Sequence, residues 1–420
     1  MKLAPSLAPF RHRAFARVWF GAFVSNIGTW MEMVAVGVLV TETTRQAGWA
    51  GLAAAAAFLP GAVFAPVGGA LADRIHRRRL LLWTTTGQLA MATLLTVLAA
   101  TGNTPPGLVV AVVFVAGCIH SMAIPAFQAI LPDLVGEEDL VGAVALSSAQ
   151  WNLGRIIGPA LAGIAIALGG YAWAFGINAA SFLAVMAAVV MLELPAPATH
   201  GGETILRSIR DGLGFVRRDP GLRVVVGFMT VSSLFAAPFI ALVPAMAINV
   251  FGGGAATTAT LVTAQGIGAV VMALSLGQLA RRFGPQRVLV GSLWLLPAAL
   301  VVYGLAPTFA ASVVAIFVVG FVYLGALSSF LSIGQLRSPS AVRGRVMSIL
   351  LVILAAVYPV ASITQGAIAD RVGLRTVTVG AAVVMVVVLA AARLLRPQLT
   401  DELEAPTVEG AIATGGQTRW

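Results

Sequence analysis

Charge is what this sequence has least of. Only 10% of its 420 residues are charged, against 59% that are hydrophobic, and the mean hydropathy is +0.94. A water-soluble chain of this length needs a far larger charged surface, so a soluble globular protein is excluded. Cysteine is nearly absent. Cys118 stands alone, which excludes a disulfide framework and a thiolate metal cluster. Lys2 is the only lysine and no Gly-x-x-x-x-Gly-Lys run occurs, so there is no ATP-binding loop to drive a pump. Long hydrophilic stretches are missing too. The longest, about 195–221 and 396–420, cannot bury a core, so no soluble catalytic domain is attached. The net charge of +10 could suggest nucleic acid, but its placement argues otherwise.

What the chain has instead is a series of apolar runs of membrane-spanning length. They fall at about 18–40, 48–72, 80–101, 107–131, 140–168, 171–193, 222–250, 256–280, 287–306, 308–334, 345–369 and 373–395. The first is too long for a signal-peptide core and lacks a small-residue cleavage site. The reading is an all-α integral membrane protein with twelve transmembrane helices. A cytoplasmic N-terminus occupies 1–17, and six-helix bundles occupy 18–193 and 222–395. A cytoplasmic linker at 194–221 carries the amphipathic piece Ile205–Arg218, and 396–420 is expected to be a disordered cytoplasmic tail. Arginine placement sets the orientation. With the N-terminus inside, 22 of the 26 basic residues lie in cytoplasmic segments, which makes both termini cytoplasmic.

Between the second and third runs lies Gly69-Ala70-Leu71-Ala72-Asp73-Arg74-Ile75-His76-Arg77-Arg78-Arg79. Asp73 is its only acid, at a helix C-terminus where the macrodipole disfavours an anion, so it needs a cationic partner or a helix N-terminus. Gly69-x-Leu71-Ala72 recurs as Gly277-x-Leu279-Ala280 before Arg281-Arg282-Phe283-Gly284, as an ancient duplication of a six-helix unit would leave it. Arg281 stands where Asp73 stands in the first half. Just before the fifth run the chain reads Glu137-Glu138-Asp139. These acids either cap a helix N-terminus or bridge to Arg281 and Arg282.

Ionisable groups at membrane depth are functional candidates by default. Three stand out, all in the first half. Glu32 shares a helical stripe with Ser25, Thr29 and Val36, and Arg155 one with Ser147, Trp151, Gly154 and Gly158. His120 lies in the middle of the fourth run. Glu32 is either a coupling acid or a structural one, neutralised by Arg155 or snorkelling outward. Arg155 cannot deprotonate, so it is paired or faces a wet cavity. His120 is either part of that charge system or a neutral histidine bonded to a helix backbone. Polar residues of the second half are neutral, among them Gln265, Tyr323, Tyr358 and Gln365. The fifth run carries Gly154, Gly158, Pro159 and Gly163. These glycines allow close helix approach and the proline bends the helix.

The arginine turn resembles the signature loop between helices 2 and 3 of the major facilitator superfamily, with His76 where a glycine is usual. Gly154–Gly163 resembles the helix-5 motif of its proton-driven exporters, with Ala162 in place of a glycine. Together with Asn26-Ile27-Gly28-Thr29-Trp30-Met31 and Arg343-Gly344-Arg345-Val346-Met347-Ser348, these segments resemble the enterobactin-exporter-like branch, also called the transmembrane secretion effector family. Residue 32 departs from that pattern, being an acid where glutamine is expected. The resemblance implies two pseudo-symmetric six-helix bundles around a central cavity, lined by Asn26, Trp30, Trp151, Gln265, Tyr323, Tyr358 and Gln365. It implies a cytoplasmic gate of Gly69, Asp73, Arg74, Arg77, Arg78, Arg281, Arg282, Glu137 and Glu138, with Asp73 facing the start of helix 11. The activity implied is export of a small organic molecule, a siderophore, antibiotic or other amphiphilic metabolite, by alternating access. Inward proton movement is expected to drive it, and the intramembrane residues, read by themselves, give the proton to Glu32, with Arg155 as its counter-charge and His120 as the next candidate. No cofactor, metal or nucleic acid is expected, and the chain is expected to be a monomer in the inner membrane. An importer or lipid flippase on the same fold is the alternative, and a non-transporting enzyme or scaffold is the reading from another class.

Overall fold

The computed structural model describes residues 5–194, 205–398 and 402–403, which are helical apart from short links. The expected N-terminal segment, linker and tail therefore lie partly outside the described residues. Hydrocarbon offers backbone groups no water, so apolar runs of this length close their hydrogen bonds within helices. A 3-10 helix, Pro5–Arg11, leads into α1 (Arg13–Thr44), α2 (Ala47–Phe58), α3 (Pro60–Arg74) and α4 (Arg77–Ala100). Then follow α5 (Pro106–Val190), the amphipathic α6 (Ile205–Arg218), α7 (Pro220–Val231) and α8 (Phe239–Ala245). The last five are α9 (Ala255–Phe283), α10 (Pro285–Gly304), α11 (Phe309–Arg337), α12 (Ser340–Val372) and α13 (Leu374–Leu395).

Among the described residues, ten helical runs are long and apolar enough to cross a membrane, so the chain is a multi-pass membrane protein. Twelve were expected, and α5 alone covers three of the expected runs. Its 85 residues are interrupted by non-helical backbone at Gly136, Gly169 and Gly170, two of them with φ of 72° and 71°, a conformation that favours glycine. An unbroken helix of that length would extend about 130 Å at 1.5 Å per residue, far beyond a bilayer core of about 30 Å.

The arginine turn is tighter than its sequence implies. Gly69 and Asp73 lie within α3, Arg77–Arg79 open α4, and only Ile75 and His76 link the two. His76 has φ −54°, so nothing at this link requires glycine. The corresponding second-half link is the single residue Gly284 at φ 84°, and Gly373 at φ 91° joins α12 to α13 in the same way. Both are positions that only glycine takes without strain.

The chain packs as two compact units, 1–201 with 241–266 and 202–240 with 267–420. In the first, Met31, Val34, Val38 and Leu39 of α1 share a core with Val109, Val112 and Val113 of α5 and with Ile248. Near the start of α1, Phe15, Val18 and Trp19 share another with Leu80, Leu81, Ile130 and Leu131. Residues 241–266 follow the linker, yet they pack with α1 and α5. The Pro244 ring closes on Gly37, where a Cβ would stand 2.9 Å from Cγ.

The expected run 222–250 lies within one helical span, Pro220–Val250, that begins with α7. Wide turns at Ser232–Ala236 and Met246–Val250 divide it. Pro238 has no N–H to give the Leu234 carbonyl, as an unbroken helix would require. Gln365 of α12 repairs this locally, its Nε2 donating to Leu234 O at 2.8 Å and Phe235 O at 3.3 Å. Asp219 caps α7 through Leu222 N at 2.8 Å. It also receives both guanidinium arms of Arg337, at 2.8 and 3.0 Å. This pair is buried, 0% and 6% exposed.

Candidate functional site

The first unit holds the ionisable candidates, and close helix contacts place them. Gly154 and Gly158 bring α5 against α1. A Cβ on Gly154 would meet Asn26 at 3.2 Å, and one on Gly158 would meet Trp30 Cβ at 2.5 Å and Ile27 O at 2.8 Å. Gly163 faces Ala259 instead, and Pro159 is buried beside Gly158. Arg155 follows Gly154 directly, about 100° further round the helix.

The hydrogen bond to Glu32 comes from a residue that the sequence reading did not select. Asn178 Nδ2 donates to Glu32 Oε2 at 2.7 Å, while Ser181 Oγ lies 3.2 Å from Asn178 Oδ1. Asn178 and Ser181 are buried. Gly28, one helical turn before Glu32, leaves the space this needs. A Cβ there would stand 2.5 Å from Asn178 Oδ1 and 2.6 Å from Ser181 Oγ.

Beside this crossing runs a row of rings. Trp30 meets Trp151 edge to face at 5.3 Å, and Trp151 stacks with His120 at 6.4 Å. His120 Nδ1 is 3.3 Å from Gln88 Oε1. The partner of His120 is thus a side-chain amide, not the helix backbone. In a neutral ring that Nδ1 must carry the proton, because the amide oxygen only accepts.

A carboxylate fixed by an amide, a tight glycine crossing and a row of aromatic rings lie within one unit of a multi-pass membrane protein. Comparison with known sequences places it. A family model described as transmembrane secretion effector matches residues 4–409. The chain is 30% identical over 344 residues to the enterobactin exporter EntS of Citrobacter koseri and to that of Escherichia coli O1:K1, with 80% of each chain covered in both cases.

The chain belongs to the transmembrane secretion effector family, within the major facilitator superfamily.

Solved structures agree on the fold. The nucleoside transporter NupG matches with TM-score 0.72 at 13% identity, covering 94% of this chain and 100% of that one. A bacterial homolog of the human lysosomal transporter Spinster, inward-facing and unoccupied, matches with TM-score 0.74 at 12% identity, over 94% and 98% of the two chains. The relatives of this secretion-effector-family chain are transporters, not enzymes.

The remaining candidates of this family member lie at helix ends or in the second unit. The close approach near the signature turn is made by Gly68, where a Cβ would stand 2.5 Å from Met122 Cα; Gly69 comes no nearer than 4.0 Å to Pro125. Arg77 pairs with Asp133 at 2.8 Å and donates to Ala129 O at 3.2 Å. Arg78 donates to Val190 O. Arg74 is exposed, and the side chain of Asp73 lies outside the described residues. The acids before the fifth run meet the N-terminal segment. Arg11 and His12 each reach Asp139 Oδ2 at 2.8 Å, and Arg11 lies 3.7 Å from Glu138. Glu137 is exposed, as are Arg281 and Arg282, and Arg282 lies over the ring of Phe283 at 5.3 Å. Gln265 is buried in the first unit. In the second, Tyr323 meets Phe239 edge to face at 5.7 Å, Tyr358 is buried, and Gln365 holds the break after α7.

Proposed function

We propose that this chain exports a small organic molecule across the inner membrane by alternating access, in exchange for inward-moving protons. The breaks at Gly136 and Gly169–Gly170 divide α5 into three crossings. With the other nine spans this makes twelve crossings in two six-helix halves, both termini being cytoplasmic. The cargo class is a siderophore, antibiotic or other amphiphilic metabolite, and the relatives named as enterobactin exporters support that choice. Glu32 carries the coupling proton, with Arg155 as its counter-charge and His120 as the next candidate for the proton. The arginine turn, with Asp73, Arg281 and Arg282, forms the cytoplasmic gate. The chain acts as a monomer and needs no cofactor beyond the proton gradient.

The observation that carries this reading is the hydrogen bond from Asn178 to Glu32, an acid at membrane depth beside the tight α1–α5 crossing. An acid is costly there, and it is retained where a proton has to be taken up and released. The test is efflux from a transporter-depleted bacterial host expressing the chain, across a panel of siderophores, macrolides and amphiphilic dyes. Export of at least one compound that stops when a proton uncoupler is added supports the reading. Export unaffected by the uncoupler, or accumulation in place of export, contradicts it.

A further inference from the structure

The neighbourhood of Glu32 contains more than an acid in an apolar helix. A carboxylate only accepts hydrogen bonds, so the Asn178 amide must turn its Nδ2 toward Glu32 and its Oδ1 away. Ser181 stands on that far side, with its hydroxyl 3.2 Å from Oδ1 and 2.7 Å from the Asn178 carbonyl. The amide therefore has one orientation, with a donor against the acid and a hydroxyl behind it. Asn178 is 1% exposed and Ser181 5%, so water does not compete for these bonds. On α1, Gly28 is the residue whose missing side chain admits the pair, since a Cβ would lie within 2.6 Å of both polar groups.

We propose that Asn178 is a positioning residue for Glu32. Oriented by Ser181 and seated over Gly28, it holds the carboxylate in one place and sets the pH at which the acid takes up its proton. The proposal rests on the reading of Glu32 as the coupling acid. A donor amide stabilises the ionised carboxylate and offers less to the protonated form. On protonation of the acid, the bond that ties α1 to the 171–190 stretch weakens. Other ionisable groups around this part of α1 are Arg155, beside the Gly154 crossing, His120, which reaches it through Trp151, and Tyr171, which packs against the α1 core and donates to Glu42 of α1. The 241–266 segment carries no ionisable residue. Arg155, His120, Tyr171 and Glu42 are present in every variant below, so their influence is common to all.

The test needs no cargo. The purified full-length chain in lipid is titrated from about pH 5 to about pH 9, a range that brackets a buried carboxyl group. The protonated carboxyl band is followed by infrared spectroscopy and assigned to Glu32 by its absence in Glu32→Gln. In Asn178→Leu the midpoint of that band moves to higher pH by about one unit, a tenfold easier protonation. Gly28→Ala, which leaves Asn178 in place but displaces its amide, moves it in the same direction. A wild-type band that titrates while both variants leave its midpoint unchanged overturns the role of Asn178 and leaves Glu32 as the coupling acid. A wild type with no titrating Glu32 band overturns both.

Discussion

Replacing Arg337 with methionine tests the most deeply buried ion pair among the described residues. The Asp219 carboxylate is 0% exposed. In the variant it keeps its bond to Leu222 N at 2.8 Å but loses the guanidinium bonds at 2.8 and 3.0 Å. The Leu403 carbonyl loses its 3.1 Å donor as well. Methionine occupies much of the space of the arginine stem, so the charge term dominates over any cavity. Removing one partner of a buried pair costs about 3–5 kcal/mol. Asp219→Asn makes the complementary cut: it leaves a buried cation while keeping an oxygen for the α7 cap, at a similar cost. The double variant removes both charges and keeps the cap, so most of the loss is recovered and the coupling between the two changes is about 2 kcal/mol or more. At about 2–4 °C per kcal/mol for large domains, a cost of about 3–5 kcal/mol lowers the apparent Tm of each single variant by about 6–20 °C. The double variant lowers it by only a few degrees. The assay is thermal unfolding of the detergent-solubilised chain at one heating rate, read by the loss of monodisperse protein. Single variants within about 2 °C of wild type would refute the reasoning. So would a double variant as unstable as the worse single one.

Three further perturbations test the packing that places the site. Gly158→Ala drives a Cβ to within 2.8 Å of Trp30 Cβ and Ile27 O. A cost of about 1–3 kcal/mol in overpacking should lower both apparent Tm and efflux, whereas Gly227→Ala, inside α7 with open space around it, should raise Tm by about 1–4 °C. Gln365→Leu leaves the Leu234 and Phe235 carbonyls without their donor. A loss of about 1–3 kcal/mol should appear in the same melt, and an unchanged Tm would show that the break after α7 does not depend on it. Arg77→Gln removes the 2.8 Å pair with Asp133 at a partly exposed site, where the cost is about 1 kcal/mol or less, so the melt should move by only a few degrees.

The helical membrane class was legible because apolar length dominates the free energy of each segment. The broken α5 shows the same. Its interruptions at Gly136 and Gly169–Gly170 fall in the gaps between the expected runs 107–131, 140–168 and 171–193. Partners were not legible. Asn178 is a neutral residue in an apolar run, 146 positions from Glu32, and no sequence spacing links them. The only signal for it was Gly28, a glycine one turn before a buried acid, and that reads equally well as helix packing. Asp219 and Arg337 are 118 positions apart, and in the sequence each looks like an ordinary cytoplasmic charge beside a helix end. Likewise Glu138 and Asp139, read from the sequence as helix caps or partners of Arg281 and Arg282, meet Arg11 and His12 of the N-terminal segment. The resemblance to the family signature points to Gly69. Contact with Met122 belongs to Gly68, and only packing reveals that.

The claim at the centre of this account is that Glu32 couples proton entry to cargo exit. It is tested most directly in proteoliposomes of the purified chain, loaded with the compound that the efflux panel identifies and placed under an imposed pH gradient. Wild-type protein should move that compound against its own gradient while protons move the other way. Glu32→Gln should lose this uphill movement yet still exchange labelled for unlabelled compound. Uphill movement that persists in Glu32→Gln at the wild-type rate would contradict the assignment.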